Sequence, residues 1–274
     1  MAAPKQVILV TGASSGIGKS CADLLHRAGY RVYGASRRAN DLGDSAPPGW
    51  VSLRMDVTSE ESVREALQHI LEREQRLDVL INNAGMGIAA AVEDTSVADA
   101  LDQFDVNFFG VLRTVRTVLP IMRSQQSGYI VNIGSIGGLI AIPYQGLYSA
   151  SKFALEGMTE SLRLEVGRFG IRVVLIEPGD HRTSFTTARR FTEESSRNPA
   201  YTGSFQRAVQ RMASDEQNGP EPERVARLVH KVINQATPRL RYTTGPAAQR
   251  AAVWLKRVVP YSVIAKLLEL YYGG

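Results

Sequence analysis

The stretch that most constrains the fold stands near the start of the chain. Val7-Ile8-Leu9-Val10 is a short unbroken apolar run, the pattern of a strand buried on both faces of a parallel sheet. It passes directly into Thr11-Gly12-Ala13-Ser14-Ser15-Gly16-Ile17-Gly18. Cys21, Leu24, Leu25 and Ala28 then recur at helical spacing until Gly29 closes the run. A strand, a glycine-rich turn and a helix together open a dinucleotide-binding unit. Glycines let backbone approach a pyrophosphate, and the first helical N–H groups meet it at the positive end of the helix dipole. The spacing is G-x-x-x-G-x-G rather than the commoner G-x-G-x-x-G, so a plain tight turn is the simpler reading. Its place between strand and helix favours phosphate binding.

The alternation continues. Arg31 to Ser36 reads as a second strand, Val51 to Met55 as a third, Leu77 to Asn82 as a fourth and Tyr129 to Ile133 as a fifth. Ile171 to Ile176 reads as a sixth and Leu240 to Thr244 as a seventh. Helical patterns lie between them. Ser59 caps one that carries Val63, Leu67, Ile70 and Leu71. A second runs from about Ser96 to Ser124 with a break expected near Pro120, and a third carries Leu155, Met158, Leu162 and Val166. The expected fold is α/β: a single-domain, Rossmann-type, doubly wound parallel sheet of about seven strands with helices on both faces, spanning residues 1–274. Residues 180 to about 220 show no clear periodicity and read as a lid or mobile segment. The tail, about 246–274, reads as two helical pieces split by Pro260.

Composition narrows the function classes. A single cysteine, Cys21, excludes an intramolecular disulfide and a cysteine-rich metal site. No His/Cys/Asp/Glu group has ligand spacing, so no metal is expected. The net charge of +5 is scattered without a basic run, so no nucleic-acid partner is expected. No secretory leader or long apolar run is apparent, and the location expected is cytoplasmic.

The chemistry centres on Tyr148-Ser149-Ala150-Ser151-Lys152. In a helix, Tyr148 and Lys152 share one face, one turn apart. An unperturbed phenol titrates near 10, and a neighbouring ammonium favours its phenolate. A tyrosine so tuned can pass a proton to or from an oxygen. Ser135, upstream in Asn132-Ile133-Gly134-Ser135, is placed to hold that oxygen. A surface tyrosine beside a solvated lysine is the bland alternative. Asn107 lies within an apolar helix, where its amide must bond water or ligand or satisfy a kink. About 20 residues past the glycine turn, where an NAD site places an acid for the ribose, stand Ser36-Arg37-Arg38. No acid there repels a 2′-phosphate and two arginines can bind one, which favours NADP(H); the alternative is two solvated loop arginines.

In order and spacing, Thr11-Gly12-x-x-x-Gly16-x-Gly18, Asn82-Asn83-Ala84-Gly85, Asn107, Ser135, Tyr148-x-x-x-Lys152 and Pro178-Gly179-x-x-x-Thr183 resemble the short-chain dehydrogenase/reductase family over about residues 5 to 245. Val32-Tyr33 and Ala35-Ser36-Arg37 resemble its 17β-hydroxysteroid dehydrogenase-type and retinol dehydrogenase-type branch. The resemblance implies that Tyr148 is the general acid or base and Ser135 orients the substrate oxygen. It implies that Lys152 lowers the phenol's pKa and bonds the nicotinamide ribose, and that Asn107 holds a water on the proton path. It assigns Gly12, Ser14, Ser15, Gly16, Ile17 and Gly18 to the pyrophosphate and adenosine side, and Ser36, Arg37 and Arg38 to the 2′-phosphate. Asp56 and Val57 would flank adenine, Asn83, Ala84 and Gly85 would meet the ribose side, and Pro178, Gly179 and Thr183 would line the nicotinamide. His181 stands where an aliphatic residue is common. The implied activity is NADP(H)-dependent interconversion of a hydrophobic ketone or aldehyde and its alcohol, steroid-, retinoid- or lipid-like, in the reductive direction. Gly137, Tyr144, Gln145 and His181 are the substrate-side candidates, with Leu139 and residues 184–215. A catalytically silent nicotinamide-binding regulator or scaffold is the rival class. A homodimer or homotetramer is expected. For the tail, packing on the core or a partner, a part in the substrate mouth, and peripheral membrane contact all stand open.

Overall fold

A computed structural model describes residues 5–37 and 49–273 of the chain. The elements in order are β1 (Val7–Thr11), α1 (Gly16–Arg27), β2 (Arg31–Ser36), β3 (Val51–Arg54), α2 (Glu60–Glu74), β4 (Val79–Asn82), β5 (Ile88–Ala89) and α3 (Val97–Phe104). They continue with α4 (Gly110–Gln125), β6 (Gly128–Ile133), α5 (Gly146–Val166), β7 (Ile171–Pro178), α6 (Phe185–Ala188) and β8 (Arg190–Phe191). The chain closes with α7 (Thr202–Gln217), α8 (Glu223–Ile233), β9 (Arg241–Thr244), α9 (Ala247–Leu255) and α10 (Tyr261–Tyr272).

Seven strands form one parallel sheet in the order β3-β2-β1-β4-β6-β7-β9. Successive residues of each strand feed opposite layers. Val7 and Leu9 pack with Leu67, Ile70, Val115, Val118 and Leu155, from α2, α4 and α5. Ile8 and Val10 pack with Cys21, Leu25, Val225 and Val229, from α1 and α8. Burial on both faces is why central β1 is apolar at successive positions, whereas edge strand β3 alternates, with Ser52 and Arg54 exposed. The expected doubly wound sheet of seven strands is therefore the observed one.

A chain of buried amides and hydroxyls crosses the middle of this sheet. Thr114 Oγ1 donates to Asn82 Oδ1 (2.7 Å), and Asn82 Nδ2 donates to Asn132 Oδ1 (2.9 Å). Asn132 Nδ2 donates to Thr159 Oγ1 (2.9 Å), which donates to the carbonyl of Leu155 (2.6 Å). Asn82 and Asn132 are register partners on β4 and β6, so the chain ties α4, two neighbouring strands and α5 together.

Three local expectations differ from the structure. α4 runs straight through Pro120, whose exposed side lets water satisfy the carbonyl that loses its N–H partner; the break falls earlier, in a π-helical turn at Asp105–Phe109. Residues 202–217, read as part of a structureless lid, form α7. Its apolar stripe is thin, with only Phe205, Ala208 and Met212 buried in a polar helix, so the period is faint in the sequence. β5 and β8 pair in a two-stranded parallel sheet that ties residues 190–191 back to the core, a pairing too short to announce itself in sequence. Arg38 lies outside the described residues.

In the tail, Val253 and Leu268 turn inward onto Ile136, Leu139 and Ile140. Trp254, Val258, Tyr261, Val263, Leu267 and Leu270 remain exposed. Among the described residues no helix is long and apolar enough to cross a membrane.

Replacing Asn132 with Val leaves Asn82 Nδ2 buried without an acceptor and strips one bond from Thr159. The expected loss is about 2–4 kcal/mol of unfolding free energy, read as a lowered urea midpoint with an unchanged slope. An unshifted midpoint would show that the buried amide chain carries no stability.

Candidate active site

The strand order reverses between β1 and β4, and the turns after β1, β4, β6 and β7 meet at the carboxyl edge of the sheet there. The first of these turns requires glycine: Gly12 and Gly16 have φ of +66° and +54°. Gly18 is needed for another reason, since a Cβ there would collide with the Gly12 carbonyl and the Asn83 amide. Asn83 staples the turn to β4. Its Nδ2 donates to the carbonyls of Thr11 (3.0 Å) and Gly12 (3.2 Å), and its backbone N–H donates to Thr11 Oγ1 (2.9 Å), as does that of Ala84 (2.9 Å). The side chain assigned to a ribose is thus occupied in shaping the turn. Ser15 gives α1 no side-chain cap, so the first N–H groups of the helix stay available to an anion.

Other cofactor-side residues fall around the same edge. Ser36, at the end of β2, is buried and its Oγ has no partner among the described residues, while Arg37 beside it is exposed. Asp56 Oδ1 accepts from Thr58 N (3.0 Å) and Oγ1 (2.8 Å), forming the turn that carries Val57. Thr183 packs on Gly16, and Ser184 Oγ donates to Ser15 Oγ (2.9 Å), so the segment after Pro178-Gly179 closes on the glycine turn. An uncapped helix start, a glycine turn of forced shape and an orphaned buried hydroxyl at the end of β2 fit a dinucleotide.

The proton-transfer residues come together. Ser135 caps a short 3₁₀ turn, with its Oγ accepting from Gly137 N (2.9 Å), and its hydroxyl stands with the Tyr148 ring around Gly137, where it favours the ionised phenol. Tyr148 lies in the first turn of α5 and is 9% exposed; Lys152, one turn on, is 6% exposed. Lys152 Nζ donates to the carbonyl of Ile133 (3.0 Å) and stands 5.9 Å from the Tyr148 ring centroid. In the protein alone, burial pushes the Tyr148 phenol up to about 12, with the Ser135 hydroxyl opposing it. In the cofactor-free chain desolvation is the largest influence on the phenol. Burial likewise pushes the Lys152 ammonium down to about 8, against the attraction of Glu156.

Asn107 sits in the π-helical turn. Its Oδ1 accepts from Met86 N (2.9 Å), and its Nδ2 donates to the Met86 carbonyl (3.0 Å) and to Ser151 Oγ (3.1 Å). The amide therefore satisfies the kink and locks α5 to the turn after β4. Gly85 lies between Asn107 Oδ1 and Lys152 Nζ.

The substrate-side candidates divide. Gly137 adjoins both Ser135 Oγ and the Tyr148 ring. Gln145 is buried with its Nε2 unpartnered, and His181 is 4% exposed with its Nδ1 at the Gly179 carbonyl (2.9 Å) and its Nε2 unpartnered. Tyr144 instead reaches α7, donating to Ser204 Oγ (2.6 Å) and packing on Phe205. Within residues 184–215 the residue that reaches the site is Phe185, whose ring lies 5.7 Å from that of Tyr148 and which the sequence did not single out. Sequence reasoning also missed the buried Arg189–Glu216 ion pair that locks the segment after Phe185 to α7, and Asp180. None of these stands in a periodic or spaced pattern; only their place after Pro178-Gly179 hinted at them.

Comparison with known proteins agrees with this geometry. The short chain dehydrogenase family model matches residues 6–194. A 3-ketodihydrosphingosine reductase of Bacteroides thetaiotaomicron is 42% identical over 98% of both chains. Retinol dehydrogenase 8 of Bos taurus is 36% identical over 89% of this chain and 83% of its own length. A short-chain dehydrogenase structure from Streptomyces avermitilis superposes with a TM-score of 0.83 at 34% identity, covering 97% of this chain and 96% of that one. One from Burkholderia phymatum in complex with NAD gives 0.80 at 28% identity, covering 92% and 93%. The chain belongs to the short-chain dehydrogenase family of oxidoreductases.

The Lys152 shift has a stability consequence. Between about pH 8 and 10.5 the folded chain holds fewer protons than the unfolded one, so unfolding free energy rises with pH across that window. Below pH 8 the full penalty applies, about 3 kcal/mol. In cofactor-free protein the advantage of Lys152→Met over the native chain should shrink as pH rises from 7 to 10. A constant difference in denaturant midpoints would show that Lys152 titrates normally.

Proposed function

We propose that the protein is an NADP(H)-dependent ketone reductase whose substrate is a long-chain lipid ketone of the sphingoid class. The observation that carries the reaction is the convergence of half-buried Ser135 with buried Tyr148 and Lys152 where the carboxyl end of β6 meets the first turns of α5. The substrate class is supported by the relative that matches 98% of both chains at 42% identity. It is supported also by the apolar cluster of Ile136, Leu139 and Ile140 that follows Ser135 under the tail.

When bound, the reduced nicotinamide supplies a hydride to the carbonyl carbon. Tyr148 donates its phenolic proton to the carbonyl oxygen, and Ser135 holds that oxygen. A phenol kept protonated by burial is suited to the donor role. Lys152 provides the positive charge that makes the phenolate tolerable once the proton has left, and would take the ribose hydroxyls; Asn107, its side-chain amide spent on the π-helical turn, fixes the backbone beside Lys152 along which the proton is restored. Ser14, Ile17 and the first N–H groups of α1 hold the pyrophosphate. Ser36 and Arg37 take the 2′-phosphate. Val57 would lie against the adenine, and Gly85 and Thr183 would face the ribose and the carboxamide.

Turnover of a long-chain 3-ketone with NADPH tests the reading. Tyr148→Phe should lower kcat by roughly a thousandfold or more while leaving NADPH binding intact. NADPH should bind more tightly than NADH, and Arg37→Glu should reverse that order. Near-normal turnover by Tyr148→Phe would remove the proton-donor role. Cofactor binding without reduction of any ketone would favour the regulator.

The same reading includes a cytoplasmic homodimer or homotetramer that touches lipid surfaces. Exposed apolar Leu101, Phe109 and Phe153 supply an assembly face, and the exposed Trp254, Tyr261 and Leu267 lie beside the basic Arg257 and Lys266. Analytical sedimentation with and without phosphatidylglycerol vesicles reads both: a monomer ends the assembly, and failure to co-sediment ends the membrane contact.

A further inference from the structure

The turn after β7 delivers a carboxylate that the reaction described above does not use. Asp180 follows Pro178-Gly179 at the ligand-binding edge of the sheet. Its backbone N–H donates to Gln249 Oε1 (2.9 Å), and Gln249 Nε2 donates back to its Oδ2. This reciprocal clasp to α9 fixes the carboxylate in place. Around it stand Tyr272 of α10 and Asp215 and Glu216 of α7.

The cations nearby are already committed. Arg189 pairs with Glu216, Arg211 with Asp215 and Arg182 with Glu221. Among the described residues, Asp180 has no ion-pair partner. Burial pushes its carboxyl up to about 6, which still leaves it mostly ionised at neutral pH. Asp180 is half-buried, and a partly desolvated carboxylate without an ion-pair partner can receive the counter-charge of a ligand. The next side chain, His181, is 4% exposed with its Nε2 unpartnered, a second polar atom of the same turn open to a ligand.

Asp180 is also near the reacting carbonyl's place. Gly179 packs against both Gln249 and Ile136, and Ile136 adjoins Ser135, whose hydroxyl meets Tyr148. The charge of Asp180 is the smallest of several influences that hold the Tyr148 phenol up, behind burial and Glu216. In a 2-amino-3-keto lipid the ammonium sits two bonds from the carbonyl carbon, so a carboxylate on the turn that packs against Ile136, next to Ser135, is on the side to receive it.

We propose that Asp180 is a specificity-determining residue that binds the protonated amine of a 2-amino-3-keto lipid while Ser135 and Tyr148 hold its carbonyl. The proposal rests on the sphingoid reading of the substrate. It adds that the enzyme selects for the free amine and against N-acylated or deaminated ketones.

The test is a fluorescence titration of the full chain, with NADPH present, by a short-chain sphingoid base and by its N-acetyl form. The native protein should bind the free amine on the order of tenfold or more tightly, the gain of a charge-assisted hydrogen bond. Asp180→Asn should bring that ratio close to one, and Asp180→Glu should restore part of it. A purely structural clasp to α9 would weaken both ligands alike and keep the ratio, which would overturn the proposal. If Asp180→Asn does not fold, the native ratio decides: equal affinities overturn the role of Asp180. Should the same protein still reduce a neutral long-chain ketone, the reductase reading stands without it. Amine-selective binding with no reduction of any long-chain ketone leaves Asp180 as the amine site and removes the reductase reading instead.

Discussion

Four polar side chains buried in the centre of the sheet hold the site in register. Thr114, Asn82, Asn132 and Thr159 pass hydrogen bonds from α4 through β4 and β6 to α5, with every link between 2.7 and 2.9 Å. Hydrophobic packing alone lets helices slide on a sheet at small cost, because the effect is non-directional. Directional bonds in a medium where an unpaired amide is expensive do not. Ser135 lies three residues beyond Asn132 on β6, and Tyr148 and Lys152 precede Thr159 on α5. Fixing Asn132 against Thr159 therefore sets the two halves of the proton-transfer pair against each other.

Burial then does opposite things to the two titrating groups. It raises the Tyr148 phenol and lowers the Lys152 ammonium, because in each case the charged form is the one that loses water. The protein by itself favours a protonated tyrosine and a weakened ammonium. That is a resting state for a proton donor, with the lysine close enough to favour the phenolate once the proton has gone. Asp180, clasped by Gln249 at the next strand end, adds a carboxylate to the same wall of the cleft.

The segment after Gly179 is where local sequence and tertiary structure part company. Its helix α7 exposes polar residues on most of its surface and buries only a thin stripe. It is held less by that stripe than by contacts distant in sequence: β5 with β8, Tyr144 with Ser204, Arg189 with Glu216. Pro120 misleads in the other direction, since a proline on the solvent side of a packed helix loses a hydrogen bond that water replaces. The true irregularity, the π-helical turn that presents Asn107, carries no proline or glycine at its centre to mark it.

What the sequence determined by itself was the part encoded by short-range periodicity and forced backbone geometry. The apolar runs of the strands, the glycine turn after β1 and the one-turn spacing of Tyr148 and Lys152 define the doubly wound sheet and point to its reactive edge. Tertiary structure decided which polar atoms are spent and which remain free. Asn83 is spent on the glycine turn and Asn107 on its kink, whereas among the described residues Ser36 Oγ and His181 Nε2 lack hydrogen-bond partners and Asp180 lacks an ion-pair partner. Those outcomes depend on groups dozens of residues apart brought within 3 Å or so of one another, and hydrogen-bond satisfaction at that range leaves no local pattern in sequence.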